Sequence, residues 1–469
     1  MSLHQAMRPH QTDFSTGSVS RNILDVALPM IVAQLLNLLY HIVDRIYIGR
    51  IPGSGMLALT GVGLCFPAIS FIAAFPQLFG VGGSPLCAMQ RGKGDDREAE
   101  RIMGTAFSML LITGALLTAL GLVFHRPILY MLGASDDTFP FANDYLAIYL
   151  CGNVFVTIAL GMNPFINCQG FGRTGMMTVL FGAVSNIVLD PVFIFTFHMG
   201  IRGAALATVL SQFLSALWVL KFLTGGQAVL KLRFASMSIQ WKRLKKILAL
   251  GSSTFLMGMT TTLVQGVCNV TAQIYGGDLY VGVMTVLNSV REIFTLPVSG
   301  LTNGAIPVIS FNYGAGAFHR IRSAIRFLSI TGIGYTALAW LALFFFPGLF
   351  IRIFTNDAAL LSAGIPALRI YFFGFIMMSL HFVGQQIFVA LGRAWHAMFF
   401  SLLRKAIIVA PLTVLLPKLW GLGVDGVFWA EPVSNVVSGI FCFATMLHAV
   451  AIQLKDPGQP APSTPNTPD

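Results

Sequence analysis

The chain has 469 residues, of which 55% are hydrophobic and only 10% are charged, and its formal net charge is +11. A soluble globular domain carries about 25% charged residues, so this composition excludes an ordinary soluble protein and indicates apolar surface that faces lipid. The basic residues lie mainly in loops between apolar runs, a pattern that indicates membrane topology and argues against nucleic-acid binding.

Residues 1–21 are polar, and we expect them to form a cytoplasmic N-terminal segment without a removable signal peptide. Apolar segments of about 20 residues, the length that crosses a bilayer, then recur along the chain. They predict an all-α, polytopic membrane protein with twelve transmembrane helices. The predicted spans are 23–48, 56–88, 103–124, 141–163, 176–198, 203–223, 247–273, 280–310, 325–346, 366–391, 396–417 and 421–449.

A polar, basic linker at 224–246 divides the spans into two groups of six. The predicted N-lobe is therefore 22–223 and the predicted C-lobe is 247–450. The tail, 451–469, is rich in proline, serine and threonine, and we expect it to be disordered. About nineteen lysines and arginines fall on the side of the termini and about seven on the other side. This excess predicts that both termini are cytoplasmic in a cell inner (plasma) membrane protein.

The two halves resemble each other at a nearly constant offset of about 220 residues. Segment 22–49 resembles 246–276, QGFGRTG (169–175) resembles VALGRAW (389–395), and MGIRGAALAT (199–208) resembles LGVDGVFWAE (422–431). Each half has an even number of spans, so the repeat is parallel, with a pseudo-two-fold axis along the membrane normal. Such proteins bind substrate between halves that rock against each other.

The first predicted helix carries a polar stripe on an otherwise apolar surface, which indicates that this face lines a cavity. Its spacing of three, four and three residues keeps the stripe on one side. An alternative is that Asp44 and Arg45 anchor the helix end at the outer membrane interface. The stripe consists of Gln34, Asn37, His41 and Asp44, with Tyr40 beside it.

The fifth predicted helix places Asn186 and Asp190 four residues apart on one face. Pro191 cannot donate to the carbonyl of Ile187, so a free oxygen lies near the acid. Carboxylate, amide and carbonyl oxygens are hard ligands suited to a small cation. Alternatively, Asp190 holds the kink by a structural hydrogen bond. Thr208 in the sixth helix carries little signal alone, since a lone helical threonine usually bonds its own backbone.

The acidic pair has no counterpart in the second half, where Asp44 aligns with Cys268 and Asp190 with Ala410. We expect Glu431 to pair with the adjacent Arg404 and Lys405. A structural charge pair and a substrate-binding role are equally compatible with this pattern. The polar residues of the second half are Arg291, Glu292, Gln385, Arg404, Lys405, Glu431 and Asn435.

The sequence contains no Walker-type glycine loop, no clustered metal-ligand motif and no nucleophile–base motif. We therefore expect that the protein is not an enzyme and has no resident cofactor. We expect an ion gradient to be its energy source.

The combined features resemble the multidrug and toxic compound extrusion (MATE) family. The likeness extends from about residue 22 to 450 and rests on the twelve-span repeat and on several motifs in fixed order. These motifs are LPMIVAQLLNLLYHIVDRIYIGR, NPFINCQGFGRTG, SNIVLDPVFIF and GIRGAALAT. The resemblance implies an antiporter that exports organic cations or other amphipathic molecules in exchange for Na⁺ or H⁺.

The resemblance also implies specific roles for residues of the first lobe. A coupling-cation site would comprise Asp44, Asn186, Asp190 and Thr208, and these would ligate Na⁺ if Na⁺ is the coupling ion. The expected substrate cavity comprises Gln34, Asn37, Tyr40, His41, Asn163, Glu292, Gln385 and Glu431. The expected partners are a small, cationic substrate and the lipid bilayer, with no nucleic acid. A flippase for a lipid-linked precursor is the alternative, which the twelve spans and the acidic first lobe disfavour.

Overall fold

The computed structural model describes residues 11–355, 357–419 and 421–453. Within these ranges the regular structure is entirely helical. Short π-helical turns at Val192–Thr196 and Leu403–Val409, and 3₁₀ turns at Phe234–Ser236 and Leu416–Lys418, adjoin the α-helices. The α-helices are α1 (Val19–Gly49), α2 (Gly55–Gly92), α3 (Asp96–Met131), α4 (Phe139–Cys151), α5 (Asn153–Asn167), α6 (Gly172–Pro191), α7 (Ile201–Thr224), α8 (Trp241–Gly314), α9 (Phe318–Phe345), α10 (Pro347–Arg352), α11 (Ala358–Tyr371), α12 (Phe375–Ala390), α13 (Ala394–Leu402), α14 (Ala410–Leu415) and α15 (Val424–Gln453).

These helices form the twelve predicted spans. In the described part of the chain, nine helical stretches are long and apolar enough to cross a membrane. Two further spans are bent pairs, α4 with α5 at 58° and α11 with α12 at 49°. The long helix α8 supplies two spans because it breaks at Gly277, whose φ of 69° is readily accessible only to glycine. The prediction of a twelve-helix, all-α membrane protein is confirmed.

Helix ends differ from the predicted spans where polar residues continue a helix beyond the apolar run. The third span starts at Asp96, because the Asp95 side chain caps α3 by accepting from the Glu98 amide at 2.9 Å. Helix α8 starts at Trp241, which shortens the linker predicted at 224–246. Helix α15 continues to Gln453, so the first residues of the tail predicted to be disordered from 451 are helical. Residues 1–10 and the tail after residue 453 lie outside the described residues, so the disorder predicted for the rest of the tail stays a prediction.

The N-lobe (α1–α7) and the C-lobe (α8–α15) meet mainly where α1 and α2 pack against α8. The backbones touch at glycines, since a Cβ at Gly82 would collide with the Ile247 carbonyl and one at Gly251 with the Leu78 carbonyl. A Cβ at Gly314 would likewise collide with the main chain of Met89. We call this contact the glycine seam (Gly82, Gly251 and Gly314).

The seam lies on the side of the molecule where α1 begins and α15 ends, which we call the termini side. Here a shared core joins both lobes and includes Ile23 of α1, Ile306 of α8 and Met446 of α15. Toward the opposite side each lobe packs around its own core. That of the N-lobe includes Ile48 and Leu146, and that of the C-lobe includes Met284, Phe372 and Phe428. The described lobes are therefore joined chiefly at one end.

The N-terminal segment (residues 11–18) adds a second connection between the lobes. The Thr12 amide donates to the Gly170 carbonyl of the N-lobe at 2.9 Å. Arg320 of the C-lobe donates to the carbonyls of Phe14 and Thr16, each at 3.1 Å, and to that of Gly17 at 2.9 Å. Phe14 is buried in the shared core. This segment therefore bridges the two lobes across the termini side.

Candidate functional site

Two carboxylates meet inside the N-lobe, far along α1 from the termini side. Asp44 lies near the end of α1 and is 6% exposed, and Asp190 lies near the end of α6 and is fully buried. Their carboxyl groups are within hydrogen-bond contact of each other. Asp44 is thus buried against a second acid, whereas Arg45 points outward and lies over the Phe66 ring at 5.6 Å. The alternative that Asp44 is an interfacial anchor is not supported.

An amide and a hydroxyl complete this group. The Asn186 amide nitrogen lies 3.4 Å from Asp190 Oδ1 and 3.4 Å from Thr208 Oγ1, so it links α6 to the start of α7. The side chain of Thr208 also lies close to that of Tyr145 on α4. The structure therefore places the four residues predicted as a cation site next to one another.

Several oxygen atoms of this group have no hydrogen-bond partner in the described part of the chain. They are Asp44 Oδ1, Asp190 Oδ2 and Asn186 Oδ1, all of them buried. No described lysine or arginine forms an ion pair with either acid. Adjacent carboxylates repel, and a buried acceptor without a donor is costly. A proton or a small cation between the acids would satisfy these oxygens.

A cavity of about 50 Å³ adjoins the group. A water molecule needs a space of at least about 10–15 Å³, so this cavity can hold water or a small ion. Of the predicted cavity residues, it is lined by Asn37, Tyr40 and Asn163, together with Asn186 and Thr208 of the cation group.

Two predicted residues of the α1 stripe lie beside this cavity and do not line it. His41 is exposed, and its ring packs on that of Tyr40 with centroids 4.2 Å apart. Gln34 Oε1 is buried without a described partner. The stripe is therefore only partly directed at the cavity.

Sequence reasoning missed the tyrosines of α4. Tyr145 lies close to Thr208 and Tyr149 lies near Tyr40, and both tyrosines are 5% exposed. Their spacing of four residues puts both on one helical face, which was the available signal. Tyrosine rings commonly pack in apolar cores, so this signal alone does not distinguish a polar site.

The helix that carries Asp190 changes its winding directly after the acid. Pro191 is followed by a π turn in which the Phe197 amide donates to the Val192 carbonyl at 2.9 Å. Single π turns often occur at functional sites.

The C-lobe contains a separate polar group around Glu431. This residue is 4% exposed and accepts hydrogen bonds from Arg404 at 3.0 Å, from Lys405 at 3.0 Å and from Arg291 at 3.3 Å. The predicted pairing of Glu431 with Arg404 and Lys405 is confirmed, and Arg291 is an additional partner. Arg404 and Lys405 lie in the π turn Leu403–Val409 and both reach the same acid.

The other predicted C-lobe residues are also far from the N-lobe cavity in the fold. Glu292 is exposed and lines a C-lobe cavity of about 430 Å³. Gln385 is buried, and its amide lies 3.7 Å from the Met257 sulfur. The predicted residues therefore do not share one cavity: Asn37, Tyr40 and Asn163 line the N-lobe cavity, whereas Glu292 lines the C-lobe cavity.

The sequence profile of the MatE family matches this chain twice, at residues 29–192 and 254–415, as an internal repeat requires. The multidrug export protein MepA of Staphylococcus haemolyticus is 23% identical over 424 residues, which cover 90% of this chain and 92% of that protein.

Solved structures show the same fold. One, described as the outward-facing conformation of a multidrug resistance MATE family transporter of the MOP superfamily, superposes with a TM-score of 0.88 at 22% identity, covering 95% of this chain and 99% of that one. A MOP superfamily transporter from Pyrococcus furiosus, for which reverse polarity of the binding pocket suggests a different function, has a TM-score of 0.89 at 21% identity, covering 96% and 100%.

Proposed function

This chain belongs to the MATE family of multidrug efflux transporters, and from that premise we propose that it is a secondary active antiporter. It exports amphipathic, chiefly cationic molecules from the cytoplasm in exchange for Na⁺ or H⁺. The termini side faces the cytoplasm of a plasma membrane protein, as the distribution of basic residues predicts.

The observation that carries this proposal is the buried contact between Asp44 and Asp190. Two carboxylates in contact, without a described basic partner, favour binding of one positive species over an empty, doubly charged state. Asn186 and Thr208 add an amide and a hydroxyl oxygen, so the donor set suits Na⁺ as well as a shared proton.

Exchange follows from competition for these acids. A cationic substrate bound between the lobes is held partly by the negative charge of the pair. When Na⁺ or a proton arrives from outside and neutralises that charge, the hold on the substrate weakens and the substrate leaves outward. The lobes are joined on the termini side and are packed separately on the other side. This arrangement is compatible with a state that is open to the outside. Return to the inward state then requires the glycine seam to separate.

The test is dye export in proteoliposomes with a Na⁺ gradient and a pH gradient imposed separately. Asp190→Asn keeps the side-chain size but removes one charge, and we expect coupled export to fall by at least about tenfold, since charged groups there act directly on the ion. Asp144→Asn is the matched control, because Asp144 lies in the same lobe in an exposed pair with Arg202. Unchanged coupled export by Asp190→Asn, with either ion, would overturn the mechanism.

A further inference from the structure

We propose that the C-lobe cavity is a binding site for the carboxylate group of an amphipathic aromatic substrate. Its ligands are the C-lobe cation cluster (Arg291, Arg404 and Lys405). This assignment extends the proposed export function to zwitterionic compounds, and binding can be tested without any transport measurement.

The arrangement of charge around the cavity supports this assignment. All three cations line the space of about 430 Å³, whereas Glu431 lies behind them and lines a smaller adjoining space. Their hydrogen bonds to Glu431 therefore use one side of the cluster, and the other side faces the cavity. A ligand in the cavity meets cationic groups first.

The cations outnumber the acids that face them. Arg404 and Lys405 have side chains only 7% and 8% exposed, and Arg291 is 17% exposed, yet one buried carboxylate serves all three. Glu292 also lines the cavity but is exposed, and even if it is counted the group retains net positive charge. His381 lines the cavity as well. Because buried charge without a counter-charge is costly, an anionic group in the cavity would lower the free energy of the lobe.

The rest of the wall indicates an organic anion with an aromatic part. Met257, Met378 and Phe382 supply an apolar surface, and the Arg404 guanidinium lies over the Phe382 ring at 5.6 Å. A volume of about 430 Å³ lies in the range of about 300–1,000 Å³ that is typical of small-molecule pockets. An inorganic anion alone would leave this apolar wall unused.

Arg291 is the residue that tests the proposal most directly. Its contact with Glu431 is the longest of the three, at 3.3 Å, and its side chain is the most exposed. It is therefore the cation with most freedom to turn toward a ligand. Its loss also leaves Glu431 with two cationic partners, so we expect the variant to fold.

The probes are rhodamine B, which has a free carboxylate, and rhodamine B ethyl ester, which lacks one. Binding to the purified protein in phosphatidylcholine nanodiscs is measured by fluorescence polarisation. We expect Arg291→Gln to weaken rhodamine B binding by about 10- to 100-fold, as loss of a charge-assisted bond predicts, and to change ester binding by less than twofold. Arg291→Lys retains the charge and is expected to preserve most of the discrimination.

Arg369→Gln is the matched control, since Arg369 is an exposed C-lobe arginine that lies over the Phe344 ring at 5.4 Å outside the cavity. It should leave both affinities unchanged. Equal loss of both probes in Arg291→Gln, or no preference of the wild type for the free acid, would overturn the assignment. Added phosphatidylglycerol that displaces rhodamine B completely would instead assign the cluster to a lipid phosphate. Failure of ion-coupled export would leave this binding result standing.

Discussion

Glu431→Gln is expected to destabilise the C-lobe strongly. The carboxylate accepts charge-assisted bonds from Arg404 and Lys405 at 3.0 Å and from Arg291 at 3.3 Å, and it is 4% exposed. Glutamine has nearly the same shape, so packing is preserved while the only buried counter-charge in the described cluster is lost. Removing one partner of a buried ion pair costs about 3–5 kcal/mol, and we expect a loss in this range.

The free energy of unfolding is measured by denaturant titration in detergent micelles, with Asp144→Asn as the reference. That substitution breaks an exposed pair whose arginine, Arg202, is 63% exposed, so its effect is expected to stay below about 1 kcal/mol. Adding Lys405→Met to Glu431→Gln removes one of the cations left without a partner and should restore part of the stability. If Glu431→Gln costs no more than Asp144→Asn, the reasoning about buried charge is refuted.

Two further predictions concern the junction between the lobes. Gly251→Val would place a side chain against the Leu78 carbonyl, so we expect the lobes to separate on the termini side. The measurement is the alkylation rate of a cysteine placed at Ser252, which should rise; an unchanged rate would contradict the prediction. Arg320→Gln removes the hydrogen bonds to the carbonyls of Phe14 and Gly17, which lowers the local stability of the N-terminal segment. We expect added protease to cleave this segment several-fold faster than in the wild type, and equal cleavage rates would contradict this prediction.

The fold was largely predictable because lipid imposes simple requirements on sequence. Apolar length alone located twelve spans, and the repeat predicted two related lobes. The breaks were harder to predict. The bend between α4 and α5, centred near Gly152, has no proline to signal it, although the break at Gly277 does fall in the predicted gap between the spans 247–273 and 280–310. Capping by Asp95 likewise extends α3 into sequence that composition assigns to a loop.

The candidate site was predictable in part. A buried acid is rare enough for Asp190 to stand out, and an offset of four residues linked it to Asn186. That Thr208 joins them depends on how α7 approaches α6, which the family resemblance supplied and spacing did not. Tyr145 was missed because aromatic residues give no polar signal in an apolar helix. The sequence already placed Glu292 and Glu431 in the second half, but only the structure shows that they line spaces separate from the N-lobe cavity.

The glycine seam has a consequence for the speed of the transport cycle. Interlocked side chains must change rotamer before two surfaces can part, and each chain that is ordered again afterwards loses conformational entropy. At Gly82, Gly251 and Gly314 one surface has no side chain, so main chain contacts main chain. Few side chains there need to change rotamer when the lobes separate. A contact of this kind can therefore be tightly packed when the lobes are together and still separate rapidly.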